Sequence, residues 1–374
     1  MTHLVRLYFN LKQIMIIKRY ISPLLIIAIL LLIACTKEGN TIYQTNPDEE
    51  KPSTVPLVTV IYGPNGLGDR SYNDLIYKGV ETAAKKYGLR TLQLAPESEE
   101  QGLAYLETMF RQMESATDSI KRLFITPSPV YDTFIRTNNR RLEKNPNADL
   151  LYMETTKPLE GKGSTFYIDY YGAMYMGGCL SHAIQDGVVT LILANPYTQT
   201  VVEAGEGFEA GFNDSSNYHV KNEVVLHKRY LSYEPVGGFT IADTTATRII
   251  NEEEAYLKVI DYLMIVPVCG GSMHSFIRSL WQTLGGYEYY FGIDGDMTAD
   301  RRFCALSILK RIDMVMIDYI GMWLQGTMPK HQTLGLKDDA TDVVLGYVAE
   351  DVPTNEVDSL RQVAIRKEGE RYEK

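Results

Sequence analysis

PLVTVIYGPNGLGDRSYNDLIYKGVETAAKKYG, residues 56–88, is the stretch from which the fold is read. Residues 56–62 are an apolar, β-rich run with no polar face, the pattern of a parallel strand covered on both sides. A Gly-rich turn follows, and Ser71 to Tyr87 then reads as a helix. Ser71 and Asp74 stand at capping-box-like spacing, and Leu75, Ile76, Val80, Ala83 and Ala84 form one apolar stripe that Gly88 ends. Strand, turn and helix make one unit of a β–α alternation.

The alternation continues downstream. TLQLA (91–95) is a strand, a helix is expected from Glu99 to Met113, LFIT (123–126) precedes a helix near 130–142, and LLYME (150–154) is a further strand. TFYID (165–169) opens a second set, followed by a small-residue helix through Gly172, Gly177 and Gly178. VVTLILA (188–194), EVVLH (223–227), YLMIVPV (262–268) and YYFGID (289–294) supply further strands. Such units imply right-handed crossovers and parallel sheets. About nine of them exceed the usual size of one open sheet. The fold class expected is therefore α/β, with two doubly wound parallel-sheet lobes joined by a hinge; a closed eight-stranded barrel is the alternative. The expected division is 56–160 plus 297–328 for the N-terminal lobe and 161–296 plus 329–374 for the C-terminal lobe. No period of 20–50 residues recurs, which argues against a solenoid.

Ahead of this region the composition changes twice. Lys18 and Arg19 precede an uncharged apolar run from Leu24 to Ala34, shorter than the roughly 20 residues that span a bilayer. It ends in Leu32-Ile33-Ala34-Cys35, which resembles the lipobox of bacterial lipoproteins. On that resemblance residues 1–34 are a signal peptide with a start at Met1 or Met15, and the thiol of Cys35 takes the lipid. An uncleaved transmembrane anchor and an ordinary secretory signal stand beside this reading. Residues 36–55 are polar, rich in Thr, Pro, Asn and acids, and read with Cys35 as a lipidated, flexible tether.

Residues 1–34 carry four basic residues and no acidic ones, so their removal takes the formal net charge from −10 to −14. That sign argues against nucleic acid and anionic membrane surfaces as partners. Cys179, Cys269 and Cys304 show no C-x-x-C spacing and sit among apolar or small residues, as buried free thiols do. The six histidines are scattered without i,i+4 pairs, so no metal site is expected. No cofactor is implied. A Gly-x-Ser-x-Gly pattern is absent, and no nucleophile–base–orienter set has usable spacing, so the chain reads as no enzyme.

Five segments in order over about 280 residues resemble the basic membrane protein family, the substrate-binding lipoproteins of ABC importers. They are 63–88 with Asp69, Ser71, Tyr72 and Asn73; VVEAGEGFEAGF (201–212); VPVCGGSMHSF (266–276); FGIDGDM (291–297) with SILKRIDMVMIDYI (307–320); and LGLKDD (334–339). The resemblance implies the type I periplasmic-binding-protein fold, with two lobes joined by three crossovers and the ligand between them.

Candidate ligand residues follow. Asp69 and Asn73 stand in a loop at a helix start, able to fix polar ligand edges or to cap the helix. Tyr72 offers a stacking face. Asp294, in an Asp-Gly pair that also suits a turn, is a carboxylate the resemblance implies would hold a ribose diol; Asp296 reads as structural. Gly270 and Gly271 admit close backbone approach. Lys310, read as the start of the Lys-Arg pair of the following helix, is placed by the resemblance near sugar hydroxyls. Asp132 is a further cleft carboxylate. Nucleoside-binding members stack the base between two aromatics, and counting back from Gly207 places Ala204 at the second wall. That loss would remove roughly 1–3 kcal/mol of stacking, weakening a purine nucleoside assignment. Tyr197, Tyr233 and Phe239 are substitute walls, and Phe208 reads as core.

The function expected is a membrane-anchored extracytoplasmic binding protein of an ABC-type importer, facing the periplasm or cell exterior. It would take a nucleoside or sugar-like small ligand and pass it to an inner-membrane permease. A ligand sensor, a sugar or nucleoside hydrolase using Asp69 and Asp294, and a surface lipoprotein acting through protein contacts are the alternatives.

Overall fold

The computed structural model describes residues 42–43, 54–64, 66–184, 186–214, 223–257, 261–282 and 288–372. Cys35 and most of the tether lie outside them. No helix among the described residues is long and apolar enough to cross a membrane.

Two separate sheets form, which removes the closed barrel. In the first, β1 (Ile42–Tyr43), β3 (Arg90–Leu94), β2 (Leu57–Ile61), β4 (Arg122–Thr126), β5 (Ala148–Met153), β6 (Ser164–Ile168) and β12 (His331–Leu334) lie in that order. The second runs β13 (Thr341–Leu345), β11 (Cys304–Lys310), β10 (Glu288–Asp294), β9 (Tyr262–Val268), β7 (Gly187–Leu193) and β8 (Val224–Tyr230). All neighbours are parallel except β1 with β3 and β13 with β11. The apolar runs behave as parallel strands should: every residue of β7 and β11 is buried. β1 corrects part of the tether expectation, because the open edge of β3 offers unpaired backbone groups to any extended segment.

Helices cover the sheets. They are α1 (Tyr72–Tyr87), α2 (Glu99–Ser115), α3 (Asp132–Asn138), α4 (Tyr171–Ile184), α5 (Gln199–Asp214), α6 (Asp243–Glu254), α7 (Met273–Leu280), α8 (Ile312–Gln325) and α9 (Thr354–Gly369). Gly88 ends α1 in the left-handed conformation, as its stop position requires.

Strand pairing moves three segments across the expected lobe division. β6 pairs with β5, so the first lobe continues past residue 160. β11 pairs with β10 and belongs to the second lobe. β12 pairs with β6 and returns to the first. The α8 residues Ile312, Val315, Met316 and Tyr319 bury against Val58, Val60 and Ile76 of the first lobe, whereas Leu336, Val343 and Leu360 join the second core. Local apolar pattern identifies a strand; which sheet it enters depends on partners far along the chain. The chain therefore passes between lobes three times, near Asp169–Tyr170, Arg311 and Gly335.

Candidate functional site

The carboxyl ends of strands from both lobes face one another, as in open α/β sheets that bind ligands there. Residue by residue, the gap is built from side chains that meet across it.

The loop after β2 comes first. Asp69 accepts hydrogen bonds from the backbone N–H groups of Ser71 (3.0 Å), Asn73 (2.9 Å) and Asp74 (3.2 Å) and from Asn73 Nδ2 (3.0 Å). Its carboxylate and the Asn73 amide thus hold their own loop and cap α1. Asp74 in turn receives the N–H groups of Gly68 and Arg70. Ser71, expected to cap, makes no cap bond; its hydroxyl crosses to the other lobe and donates to Asp294 Oδ2 at 2.5 Å. The capping spacing was legible, but Asp69 had already satisfied the helix donors.

Asp294 closes β10 in a left-handed conformation (φ 67°). Its N–H donates to the Tyr170 hydroxyl (3.1 Å), which itself donates to the Ile308 carbonyl. Glu154, directly after β5, is also left-handed (φ 55°). Non-glycine residues at such φ cost of order 1–3 kcal/mol and cluster at functional sites. Lys310 corrects its expected place: it is the last residue of β11, and α8 begins only at Ile312. A strand end aims it into the gap, where Nζ donates to Glu154 Oε2 at 2.7 Å, the two side chains 5% and 7% exposed. The ammonium lies 5.5 Å from the Tyr72 ring centre and 5.9 Å from that of Tyr170, within cation–π range. Burial pushes both the Glu154 and Asp294 carboxyls above the usual range; Lys310 draws each back, and Ser71 also lowers Asp294.

Gly271 meets the same gap from the second lobe. A Cβ there would stand 3.3 Å from the Phe239 carbonyl oxygen and in ordinary contact, at 3.8 Å, with that of Asp69. Asp132 starts α3 and is held by Arg136 (2.8 Å), which continues to Thr155; it belongs to the rim beside Glu154 and not to the buried cluster. Ala204 is fully buried in the core of the second lobe, so no aromatic wall facing the gap was lost there. Its neighbour Glu203 instead receives the Tyr167 hydroxyl, and Phe208 is core as expected. Tyr197 and Tyr233 are strongly exposed. Sequence reasoning missed Glu154 and Tyr170. LLYME ends on the glutamate as YYFGID ends on its aspartate, a parallel that only the sheet orders give meaning.

Chemically, the cluster offers one buried and one half-buried carboxylate, one ammonium and two phenol rings, suited to hydroxyl groups and to the C–H face of a ring. Cys179, Cys269 and Cys304 are free and buried. Among the described residues, no three His, Cys, Asp or Glu gather to hold a metal.

No protein family description matches the chain, and no curated protein does. Solved structures do. An ABC transporter system solute-binding protein from Aeropyrum pernix K1 is 16% identical with TM-score 0.58, over 84% of this chain and 86% of that one. A transcriptional activator of the comK gene from Bacillus halodurans is 14% identical with TM-score 0.59, over 84% and 96%. A periplasmic solute-binding protein of an ABC transporter from Actinobacillus succinogenes 130z, with bound D-allose, is 14% identical with TM-score 0.55, over 79% and 99%. The chain has the two-lobed α/β fold of periplasmic solute-binding proteins.

Proposed function

We propose that this chain is a lipid-anchored, extracytoplasmic solute-binding protein of an ABC-type importer. It captures a small hydroxyl-rich ligand, a sugar or the sugar of a nucleoside, by closing two lobes upon it. The observation that carries this reading is the interlobe cluster of Glu154, Asp294, Lys310, Tyr72 and Tyr170. Carboxylates accept paired hydroxyls, and tyrosine faces cover the ring. Bound D-allose in one neighbour is consistent with that chemistry. The cluster contains donors, acceptors and ring faces but no activated nucleophile, which fits binding without turnover. Closure draws its energy from contacts made only when the lobes meet. The anchor rests on Cys35 and its preceding apolar run.

The test is calorimetry and thermal shift of residues 46–374 against D-allose, allitol, ribose and adenosine. A ligand at a hundredfold excess over its dissociation constant raises apparent stability by about 2.7 kcal/mol. Asp294→Ala is expected to abolish the shift. Binding that survives this change removes the cluster from the site, and turnover of any of the four removes the transport reading. In cells, wild type is expected to incorporate labelled fatty acid and full-length Cys35→Ser is not; an unlabelled wild type refutes lipidation.

A further inference from the structure

The two sheets repeat one order: β3-β2-β4-β5-β6 in the first lobe is matched by β8-β7-β9-β10-β11 in the second. Under that correspondence β5 answers to β10. Each of these strands runs out into one acidic residue, Glu154 following β5 and Asp294 ending β10, and both take a left-handed φ. Of these two non-glycine residues in a rare conformation at equivalent places, Glu154 pairs directly with Lys310, and Asp294 lies near enough to feel the same charge.

The second observation is an orphan atom. Glu154 Oε2 is satisfied by Lys310, but Glu154 Oε1 is buried without a hydrogen-bond partner. A buried charged oxygen left bare is costly, and native structures rarely keep one without a use. Ser71 takes only Oδ2 of Asp294. Each carboxylate, one from each lobe, therefore keeps capacity for a further donor near an ammonium within cation–π range of Tyr72 and Tyr170.

We propose that Glu154 is a ligand-binding residue, the first lobe's counterpart of Asp294, and that the ligand class is a compact polyol or sugar presenting hydroxyl groups at two opposite edges. One edge donates to Glu154 and the other to Asp294, while Lys310 donates to a ligand oxygen between them. This rests on the solute-binding reading above and narrows it. A ligand with one polar edge would leave Glu154 Oε1 bare in the closed state. Specificity would then be read from both lobes at once, so only a ligand with both edges completes closure.

The experiment uses whichever of D-allose, allitol, ribose and adenosine binds the protein, with its mono-deoxy forms, against wild type, Glu154→Gln, Glu154→Ala and Asp294→Asn. Affinity is measured by calorimetry, and melting temperature confirms folding of each variant. Glu154→Gln keeps an oxygen for Lys310 but not for ligand as well. Its affinity is expected to fall roughly ten- to a hundredfold, the loss of one charged hydrogen bond. That fall should vanish for one deoxy position, and the fall in Asp294→Asn should vanish for a different one. If neither Glu154 variant weakens binding more than twofold while Asp294→Asn does, this inference is overturned and the solute-binding reading stands. A Glu154→Gln penalty equal across all deoxy forms overturns it too, marking Glu154 as support for Lys310 alone. If none of the four probes binds wild type, both readings fall together.

Discussion

Lys310 shows what a single residue carries here. Its ammonium pairs with Glu154 and its charge also reaches Asp294, both carboxyls being pushed upward by desolvation. Lys310→Met would leave Glu154 charged and unpaired. Removing one partner of a buried pair costs about 3–5 kcal/mol. The sign with pH follows from Glu154. Its folded value lies above the unfolded one, so its contribution is most favourable at low pH and declines as pH rises through the folded value. Losing Lys310 lifts that value further, so the Lys310→Met deficit should be small at pH 4 and large at pH 8. Urea midpoints at the two pH values check this; equal deficits would show that the pair contributes no net charge stabilisation. Asp294 and Lys310 were singled out through the family resemblance, Asp294 at a strand end and Lys310 at a helix start that the structure replaces with the end of β11. Glu154 was not, since its meaning depends on a residue 156 positions away. Asp69 and Asn73 were visible as a polar cluster, but their chemistry is spent on the loop they belong to.

At the scale of elements, the small residues of α4 and α5 explain a motif that sequence could recognise without understanding. A Cβ at Gly178 would fall 2.2 Å from the Phe208 carbonyl oxygen, and one at Gly211 would fall 1.9 Å from that of Tyr175. One at Gly207 would meet the Tyr171 carbonyl at 2.5 Å. GFEAG (207–211) therefore holds α5 backbone to backbone against α4, and Phe208 locks the pair from the core. In an open helix Gly→Ala stabilises by about 1 kcal/mol. Here Gly211→Ala must push the helices apart, and overpacking of this kind costs about 1–3 kcal/mol. The opposite sign makes the prediction sharp: a urea midpoint that falls at unchanged slope supports it, and one that rises refutes it. Most helices and strands were readable from apolar period and glycine stops. β11 was not, because SILK (307–310) runs into the helix that follows without a turn residue. Its assignment came from pairing with β10, which no local pattern reveals.

The whole molecule turns on three chain passages, and α9 fastens two of them. Glu368 accepts the N–H of Gly172 after the first passage (3.2 Å) and of Leu336 after the third (3.0 Å). Beyond the helix, Arg371 grips both oxygens of Asp169 at 3.0 Å, and Tyr372 donates to the same carboxylate at 2.6 Å. Lobe closure must strain or carry along this clamp. Glu368 is 5% exposed, and burial pushes its carboxyl up to about 7, helped by the charges of Asp169 and Asp338 and opposed by the two N–H groups. A carboxyl whose folded value is raised binds a proton in the native state that the unfolded chain has released. Stability from Glu368 is therefore fully present near pH 4 and is lost as pH rises through about 7. The span from the ordinary value of 4.5 to about 7 corresponds to about 3 kcal/mol. Above that range the carboxylate holds both N–H groups; below it the protonated group keeps one acceptor and gives the other oxygen to a donor, loosening one passage. Glu368→Gln cannot titrate. It should lose stability relative to wild type near pH 5, where it merely resembles the protonated acid with one donor misplaced, and recover or exceed it near pH 8. Unfolding free energies for both proteins at pH 5, 6, 7 and 8 decide the matter. Parallel curves would mean that Glu368 does not titrate in the hinge, and that the clamp acts through Arg371 and Tyr372 alone.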